Sequence, residues 1–266
     1  MSDTGTPIDQ PRPAATVVIL RDGRDGLEVF MVVRHQEIDF ASGALVFPGG
    51  KVDPRDADAA WADLAPFAAA APDRAFVVAA VRETFEEAGL VLARRRGTQA
   101  MLEADDTHRL VEAYRARLLA GETTFLDLVR AEDLLLATDL MVPFAHWITP
   151  ERVGKRFDTH FLLVAAPVDQ LGAHDGGESV DGFWIAPRQA LRDAEAGART
   201  LVLPTQMNLT KLARYATVAE AVTATRANPI VTVTPRIERT AGGRKLHIPA
   251  EAGYGVTEVL VPAPRR

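Results

Sequence analysis

Residues 82–90 read Arg-Glu-Thr-Phe-Glu-Glu-Ala-Gly-Leu and place three carboxylates on one short segment. At 3.6 residues per helical turn, Glu83, Glu86 and Glu87 fall at positions i, i+3 and i+4, so they share one helix face. Apolar side chains recur at helical spacing on the opposite side between residues 77 and 85, which predicts an amphipathic helix. Three like charges this close repel one another unless a cation lies among them.

The chemistry of these ligands favours a hard cation. Every ligand atom is a carboxylate oxygen, which suits Mg²⁺ or Mn²⁺ better than zinc, and such ions commonly also touch substrate phosphates. A solvated helix face is the competing interpretation, in which Arg82 and Glu86 form an ordinary i,i+4 ion pair. The glycine that ends the helix, Gly89, and a glycine pair upstream favour the metal interpretation.

The glycine pair lies in residues 47–53, which read Phe-Pro-Gly-Gly-Lys-Val-Asp. Two adjacent glycines permit a tight turn and let the backbone approach a ligand closely. Alone, such a pair predicts only a turn. Its functional meaning depends on the carboxylate helix that follows.

Together the two segments resemble the Nudix box, a family pattern of Gly-x5-Glu-x7-Arg-Glu-U-x-Glu-Glu-x-Gly-U in which U is aliphatic. From Arg82 to Leu90 each required position matches if Thr84 is accepted as the first U. Asp56 stands where the first Glu is expected, and 25 residues rather than seven separate it from Arg82. The box therefore contains an insertion of about 18 residues, whose sequence predicts one or two short helices.

The sequence is similar to a long-insert branch of the Nudix superfamily that includes the peroxisomal coenzyme A diphosphatase-like proteins. The similarity covers roughly residues 15–220. Outside the box it is carried by four segments: residues 45–50 (Leu-Val-Phe-Pro-Gly-Gly), 146–150 (His-Trp-Ile-Thr-Pro), 155–161 (Lys-Arg-Phe-Asp-Thr-His-Phe) and 184–191 (Trp-Ile-Ala-Pro, then Gln-Ala-Leu from position 189).

This resemblance implies a metal site. The carbonyl of Gly50 and the carboxylates of Glu83, Glu86 and Glu87 are expected to bind Mg²⁺ or Mn²⁺. Glu83 or Glu86 is expected to orient the attacking water as well.

Further roles follow from the same resemblance. Arg82 is expected to orient the carboxylates, and Asp56 to replace the first Glu of the box. Nudix enzymes often recruit a distant loop glutamate as base or extra ligand, and Glu178 is best placed for this by chain order, although a solvated loop carboxylate is an equal alternative. Arg34 and Arg156 are candidate substrate contacts. The histidines at 146 and 160 are interpreted as packing residues.

The charge and residue composition limit the kinds of molecule that this protein is expected to bind. A net charge of −6 and a pI near 5.6 argue against a nucleic-acid partner bound through a basic surface. The chain has no cysteine, which excludes zinc-thiolate and cysteine-nucleophile chemistry. No apolar run predicts a membrane span, so we expect a cytoplasmic protein that acts on a small nucleoside diphosphate derivative. A homo-oligomer is left open.

The expected fold is an α/β/α sandwich with a mixed sheet, in which the box forms a loop-helix-loop. The predicted organisation is a polar tail (1–14), a Nudix domain (15–226) with an insertion at 54–74 and extra helices at 104–136, and a C-terminal hairpin extension (227–266). Within these regions the patterns predict a first hairpin from strands 16–21 and 27–34, a box helix over 72–88, helices over 107–120 and 123–136, a strand over 157–168 and one long helix over 204–226.

The leading functional hypothesis is metal-dependent hydrolysis of the diphosphate bond in coenzyme A or an acyl derivative. Alternative substrates are ADP-ribose, a dinucleotide or a damaged nucleotide. A non-catalytic Nudix-fold regulator that binds a nucleotide is the alternative from a different class. The intact set of clustered carboxylates favours catalysis, since a binding module has no evident need of it.

Overall fold

Strand β1 (Arg12–Gly23) occupies the middle of a mixed sheet in the computed structural model, which describes residues 10–33, 43–66, 72–151, 154–167 and 182–262. A turn at Arg24 and Asp25 joins it to the antiparallel strand β2 (Gly26–Val33), so the predicted first hairpin is confirmed. On its other side β1 pairs in parallel with β8 (Phe157–Ala165). These three strands bury near-continuous apolar runs, as expected for strands covered on both faces.

The described part of the sheet contains nine strands. Besides β1, β2 and β8, they are β3 (Ala44–Val46), β4 (Gly49–Lys51), β7 (Val142–Ile148), β9 (Gly182–Ile185), β10 (Thr200–Leu201) and β11 (Thr232–Val233). The continuous order is β10-β3-β2-β1-β8-β7-β11, with β4 paired to β1 and β9 paired to β2.

Alternation along the strands divides the core into two layers. In β1, Val17 and Ile19 face one apolar cluster, whereas Val18 and Leu20 face the other. Helix α1 (Arg74–Ala88) covers the first face. Helices α5 (Pro187–Glu195), α6 (Leu203–Leu212) and α7 (Val218–Ala227) contribute to the second. The expected α/β/α sandwich with a mixed sheet is confirmed.

The extra helices at 104–136 are present, with one correction. They comprise α2 (Ala104–Leu110), a π-helical turn (Val111–Arg115), α3 (Ala116–Leu119) and α4 (Phe125–Ala131). The helix predicted over 123–136 ends early because Asp133 adopts a left-handed backbone with φ of 49°. Residues beyond it form strand β6 (Leu134–Leu136), which pairs with β5 (Ala93–Arg95).

The prediction of one helix over 204–226 is wrong, because α6 and α7 are separate. Thr217 is extended, with φ of −135° and ψ of 160°, and its hydroxyl accepts a hydrogen bond from the Glu220 N–H at 3.2 Å. A threonine in this position caps a new helix, and its side chain thereby replaces the missing backbone acceptor.

The predicted C-terminal hairpin is present, but it begins only after residue 235. Residues 232–233 join the main sheet beside β7, and the hairpin consists of β12 (Arg236–Thr240) and β13 (Gly243–His247). A third strand, β14 (Glu258–Pro262), pairs with β13. Tyr254 links this C-terminal region to the core, because its hydroxyl accepts a hydrogen bond from Trp147 Nε1 at 2.8 Å.

In the segments that the structure describes, every helix is too short or too polar to cross a lipid bilayer.

Candidate active site

Helix α1 carries its carboxylates beside the apolar face that it buries in the core. Its apolar side packs into the core through Val77, Val81 and Phe85, each with no solvent exposure. The helix ends at Gly89, whose φ of 64° is left-handed and whose N–H donates to the Phe85 carbonyl at 3.0 Å. A glycine adopts this conformation without a Cβ penalty, so the helix ends directly after its last glutamate and Ala88.

The glycine loop reaches these glutamates through strand β4. Gly49 has a φ of 154°, and a Cβ there would lie 2.4 Å from the carbonyl oxygen of Ala15. A Cβ on Gly50 would lie 2.4 Å from the Glu83 carboxyl group. Gly49 N–H donates to Glu87 Oε2 at 2.9 Å. Both glycines are therefore required for the loop and the helix to approach this closely.

The guanidinium of Arg82 donates hydrogen bonds to four groups. It binds Asp56 through two hydrogen bonds, Nε to Oδ1 at 3.0 Å and Nη2 to Oδ2 at 2.9 Å. It also donates to Glu83 at 2.8 Å, to Glu86 at 3.2 Å and to the Lys51 carbonyl at 2.9 Å. Burial lowers the pKa of Arg82, but hydrogen bonds and charges from its carboxylate partners raise it overall. This geometry excludes the ordinary surface ion pair, since the Arg82 side chain is only 13% exposed.

The insertion folds so that Asp56 meets Arg82 across 25 intervening residues. Asp56 lies in a short 3₁₀ helix (Pro54–Ala57), and its Oδ2 accepts from the Asp53 N–H at 2.8 Å. A second 3₁₀ turn (Ala59–Asp63) carries Trp61, which is buried. The predicted short helices are confirmed for the described part of the insertion, and Asp56 contacts Arg82 of the box helix.

Electrostatics of the cluster favour a cation. Burial raises the pKa of the Glu83 carboxyl to about 7, opposed by Arg82 and reinforced by the charges of Glu86 and Glu87. The carboxylates of Asp56, Glu83 and Glu86 contact the Arg82 guanidinium, and the Glu87 carboxylate accepts from the Gly49 N–H beside them. The donor set consists of oxygen atoms, which fits a hard divalent ion. The residues present therefore suit Mg²⁺ or Mn²⁺.

Arg115 is a site residue that sequence reasoning missed. It stands at the end of the π-helical turn and donates to two carbonyls of the last turn of α1, from Nε to Glu86 at 2.7 Å and from Nη2 to Glu87 at 3.1 Å. A cation at this end of a helix satisfies carbonyls that have no partner within the helix. No local motif marks Arg115, because it approaches from a helix that is remote in sequence.

Of the remaining predicted site residues, the structure describes Arg156. Arg156 lies in the connection between β7 and β8, is 8% exposed, and donates from Nε to the Thr149 carbonyl at 3.1 Å. Arg34 and Glu178 lie outside the described residues.

His160, which the sequence marked as a packing residue, has an altered pKa. Burial and the neighbouring His146 lower the pKa of His160 to about 4, against the opposing charges of nearby aspartates.

The family model of the NUDT19 Nudix domain matches residues 67–212. The match spans more than half of the 266 residues, so the chain belongs to this family of Nudix hydrolases. The glycine loop and Asp56 precede the matched range and are connected to it by the contacts with α1 described above.

Individual relatives agree with this family. The chain is 26% identical over 261 residues to human acyl-coenzyme A diphosphatase NUDT19, covering 82% of this chain and 66% of that protein. It is 29% identical over 205 residues to a Caenorhabditis elegans protein named as nudix hydrolase 7, covering 76% of this chain and 61% of that protein. The chain thus spans between 61% and 66% of the length of these relatives.

A solved structure supports the fold. The NUDIX hydrolase from Alicyclobacillus acidocaldarius superposes with a TM-score of 0.61 at 27% identity, over 80% of this chain and 96% of that chain.

Proposed function

We propose that the chain hydrolyses the diphosphate bond of coenzyme A or an acyl-coenzyme A, with Mg²⁺ or Mn²⁺ as cofactor. The main support for this proposal is that Glu83, Glu86 and Glu87 lie together against the glycine loop and Arg82. The substrate class is supported by the names of the human and Xenopus laevis relatives, both acyl-coenzyme A diphosphatases. The same chemistry applies to any nucleoside diphosphate linked to another moiety.

The reaction adds water across a phosphoanhydride. The water oxygen bonds to one phosphorus, the bond from that phosphorus to the bridging oxygen breaks, and the bridging oxygen leaves on the other phosphate. A base must take the proton that the water loses. With coenzyme A the products are phosphopantetheine and adenosine bisphosphate.

In this proposal the Gly50 carbonyl and the carboxylates of Glu83, Glu86 and Glu87 hold the metal. When bound, the ion neutralises phosphate charge and lowers the pKa of coordinated water. Arg82 supplies no proton, because its pKa is raised and it stays charged. Its part is to fix the orientation of Glu83 and Glu86 through charge-assisted hydrogen bonds.

Two glutamates are candidates for the base. Glu83 lies in the carboxylate cluster itself; burial raises its pKa to about 7 in the metal-free protein, and a bound cation would keep it ionised and able to accept a proton. Glu178 remains the candidate from a loop outside the described residues. The two assignments predict different kinetics for a Glu178→Gln variant.

The test is a hydrolysis screen of coenzyme A, acetyl-coenzyme A, ADP-ribose, NADH and diadenosine polyphosphates with and without Mg²⁺ or Mn²⁺. We expect coenzyme A or its acyl form to be cleaved fastest, and ¹⁸O from labelled water to appear in one product only. Glu86→Gln should reduce turnover by more than the roughly 10–100-fold loss typical of an outer-shell change. Glu195→Gln, an exposed glutamate at the end of α5, is the matched control and should retain wild-type turnover.

Each contrary result has a defined meaning. Efficient cleavage of ADP-ribose without cleavage of coenzyme A would retain the chemistry and reject the substrate. Binding of the nucleotides without turnover of any of them would support the non-catalytic regulator. Near wild-type turnover of Glu86→Gln at saturating metal would reject the metal site itself.

A further inference from the structure

A second group of metal-ligating side chains lies outside the carboxylate cluster. His146 comes from β7, and Asp158 and His160 come from β8. One ligand atom from each of the three lies within 4.8 Å of the other two. Asp158 and His160 alternate with the buried Phe161 and share their strand face with Leu162 and Val164, so the group lies on the same side of the sheet as helix α1.

His146 is oriented through both of its ring nitrogens. Nε2 lies 2.5 Å from Asp158 Oδ1, and Nδ1 lies 2.8 Å from the hydroxyl of Thr232 in β11. Metal-bound histidines commonly use the second nitrogen for such a hydrogen bond, which fixes the tautomer and directs the first nitrogen to the metal. At this distance, a proton or a cation must lie between His146 Nε2 and the Asp158 carboxylate oxygen.

His160 is held in place by aromatic contacts. Its ring stacks on His146, with centroids 3.9 Å apart and an interplanar angle of 11°, and Phe76 packs edge-on at 4.5 Å. Among the described residues, no hydrogen-bond partner is found for either nitrogen of this ring. The group is reachable from solvent, because the Asp158 side chain is 33% exposed. Because the described residues supply no partner, the His160 ring nitrogens are available to a metal ion without the loss of an existing hydrogen bond.

We infer that His146, Asp158 and His160 bind a first-row transition-metal ion, with Zn²⁺ or Co²⁺ as the best chemical match. Two imidazoles and one carboxylate with an open position are a recurrent ligand set for such ions. Binding requires the Nε2 to Oδ1 distance to lengthen and the two stacked rings to turn so that both present a nitrogen to one ion.

This site is distinct from the carboxylate cluster in ligands and position. Ala15 of β1 pairs with Gly50 on one side and with His160 on the other. Gly50 and His160 are therefore separated by two strand spacings, on the order of 10 Å. Two ions that act on one phosphate lie only about 3.5–4 Å apart. The histidine site therefore binds its ion independently of the Nudix metal.

Cobalt provides a direct readout, since Co²⁺ bound by imidazoles has visible absorption bands that respond to ligand geometry. Tag-free protein titrated with CoCl₂ should develop these bands up to one equivalent, and ZnCl₂ should displace them. His160→Gln, His146→Gln and Asp158→Asn should each weaken Co²⁺ binding at least about tenfold. Glu86→Gln should leave the bands unchanged, because its carboxylate belongs to the other cluster.

His247→Gln is the matched control, since His247 also contacts carboxylates, at 2.7 Å from Glu238 and 3.5 Å from Glu258, but lies in the C-terminal sheet. It should retain wild-type Co²⁺ binding. Equal losses in His247→Gln and His160→Gln, or full Co²⁺ affinity in His160→Gln and His146→Gln, would overturn the proposal. If the cluster variants do not fold, X-ray absorption of the wild-type protein with one equivalent of Zn²⁺ decides: two imidazole ligands at about 2.0 Å support the site, and an oxygen-only shell rejects it.

Discussion

Replacing Glu83 by Gln is expected to stabilise the metal-free protein at alkaline pH relative to wild type while abolishing activity. Burial raises the folded-state pKa of Glu83 from 4.5 to about 7. Because the folded pKa is raised, protonation stabilises the fold, fully below pH 4.5, and this contribution is lost as the pH rises through 7. The change from 4.5 to about 7 corresponds to about 3 kcal/mol. Glutamine keeps the shape of the protonated form and cannot ionise.

The assay is urea unfolding of wild type, Glu83→Gln and the control Glu195→Gln at pH 4.5 and pH 8 with EDTA present. From pH 4.5 to pH 8, the free energy of unfolding of wild type should fall by about 3 kcal/mol relative to Glu83→Gln. Effects of other titrating groups cancel in this difference. The control should follow wild type. A difference between wild type and Glu83→Gln that is the same at both pH values would refute the reasoning.

Further predictions concern the supporting residues and the metal. Asp56→Asn should cost about 1–3 kcal/mol of unfolding free energy, because it removes the charged acceptor of Arg82, and unchanged chemical denaturation would contradict this. Arg115→Met should lower kcat and raise the Mn²⁺ concentration required, with KM for coenzyme A little changed; a rise in KM alone would argue against a positioning role. Glu178→Gln should lower kcat far more than it raises KM if Glu178 is the base, whereas wild-type kinetics would reassign the base to helix α1. Saturating Mg²⁺ should raise Tm in wild type and much less in Glu87→Gln, and equal shifts would count against a preformed site.

Much of the fold is readable from local spacing. The amphipathic period of α1 and its terminal Gly89 predict a helix over 72–88, and the structure places it at Arg74–Ala88. The first hairpin and the short helices of the insertion are similarly local. Each depends on hydrogen bonds or side-chain contacts between near neighbours, so the sequence pattern contains the required information. Where the prediction fails, at the break between α6 and α7, a capping side chain overrides a favourable helical composition.

The sequence by itself determined the carboxylate helix and the glycine loop, and its side-chain chemistry favours an oxygen-ligated metal, because helical spacing and side-chain chemistry are local properties. Only the tertiary structure decided that Asp56 meets Arg82 after 25 intervening residues, and that Arg115 reaches the end of α1. It also decided that His146 and His160 stack across two strands. These contacts depend on loop closure, strand register and packing between remote elements. Such long-range terms leave no fixed spacing in the sequence.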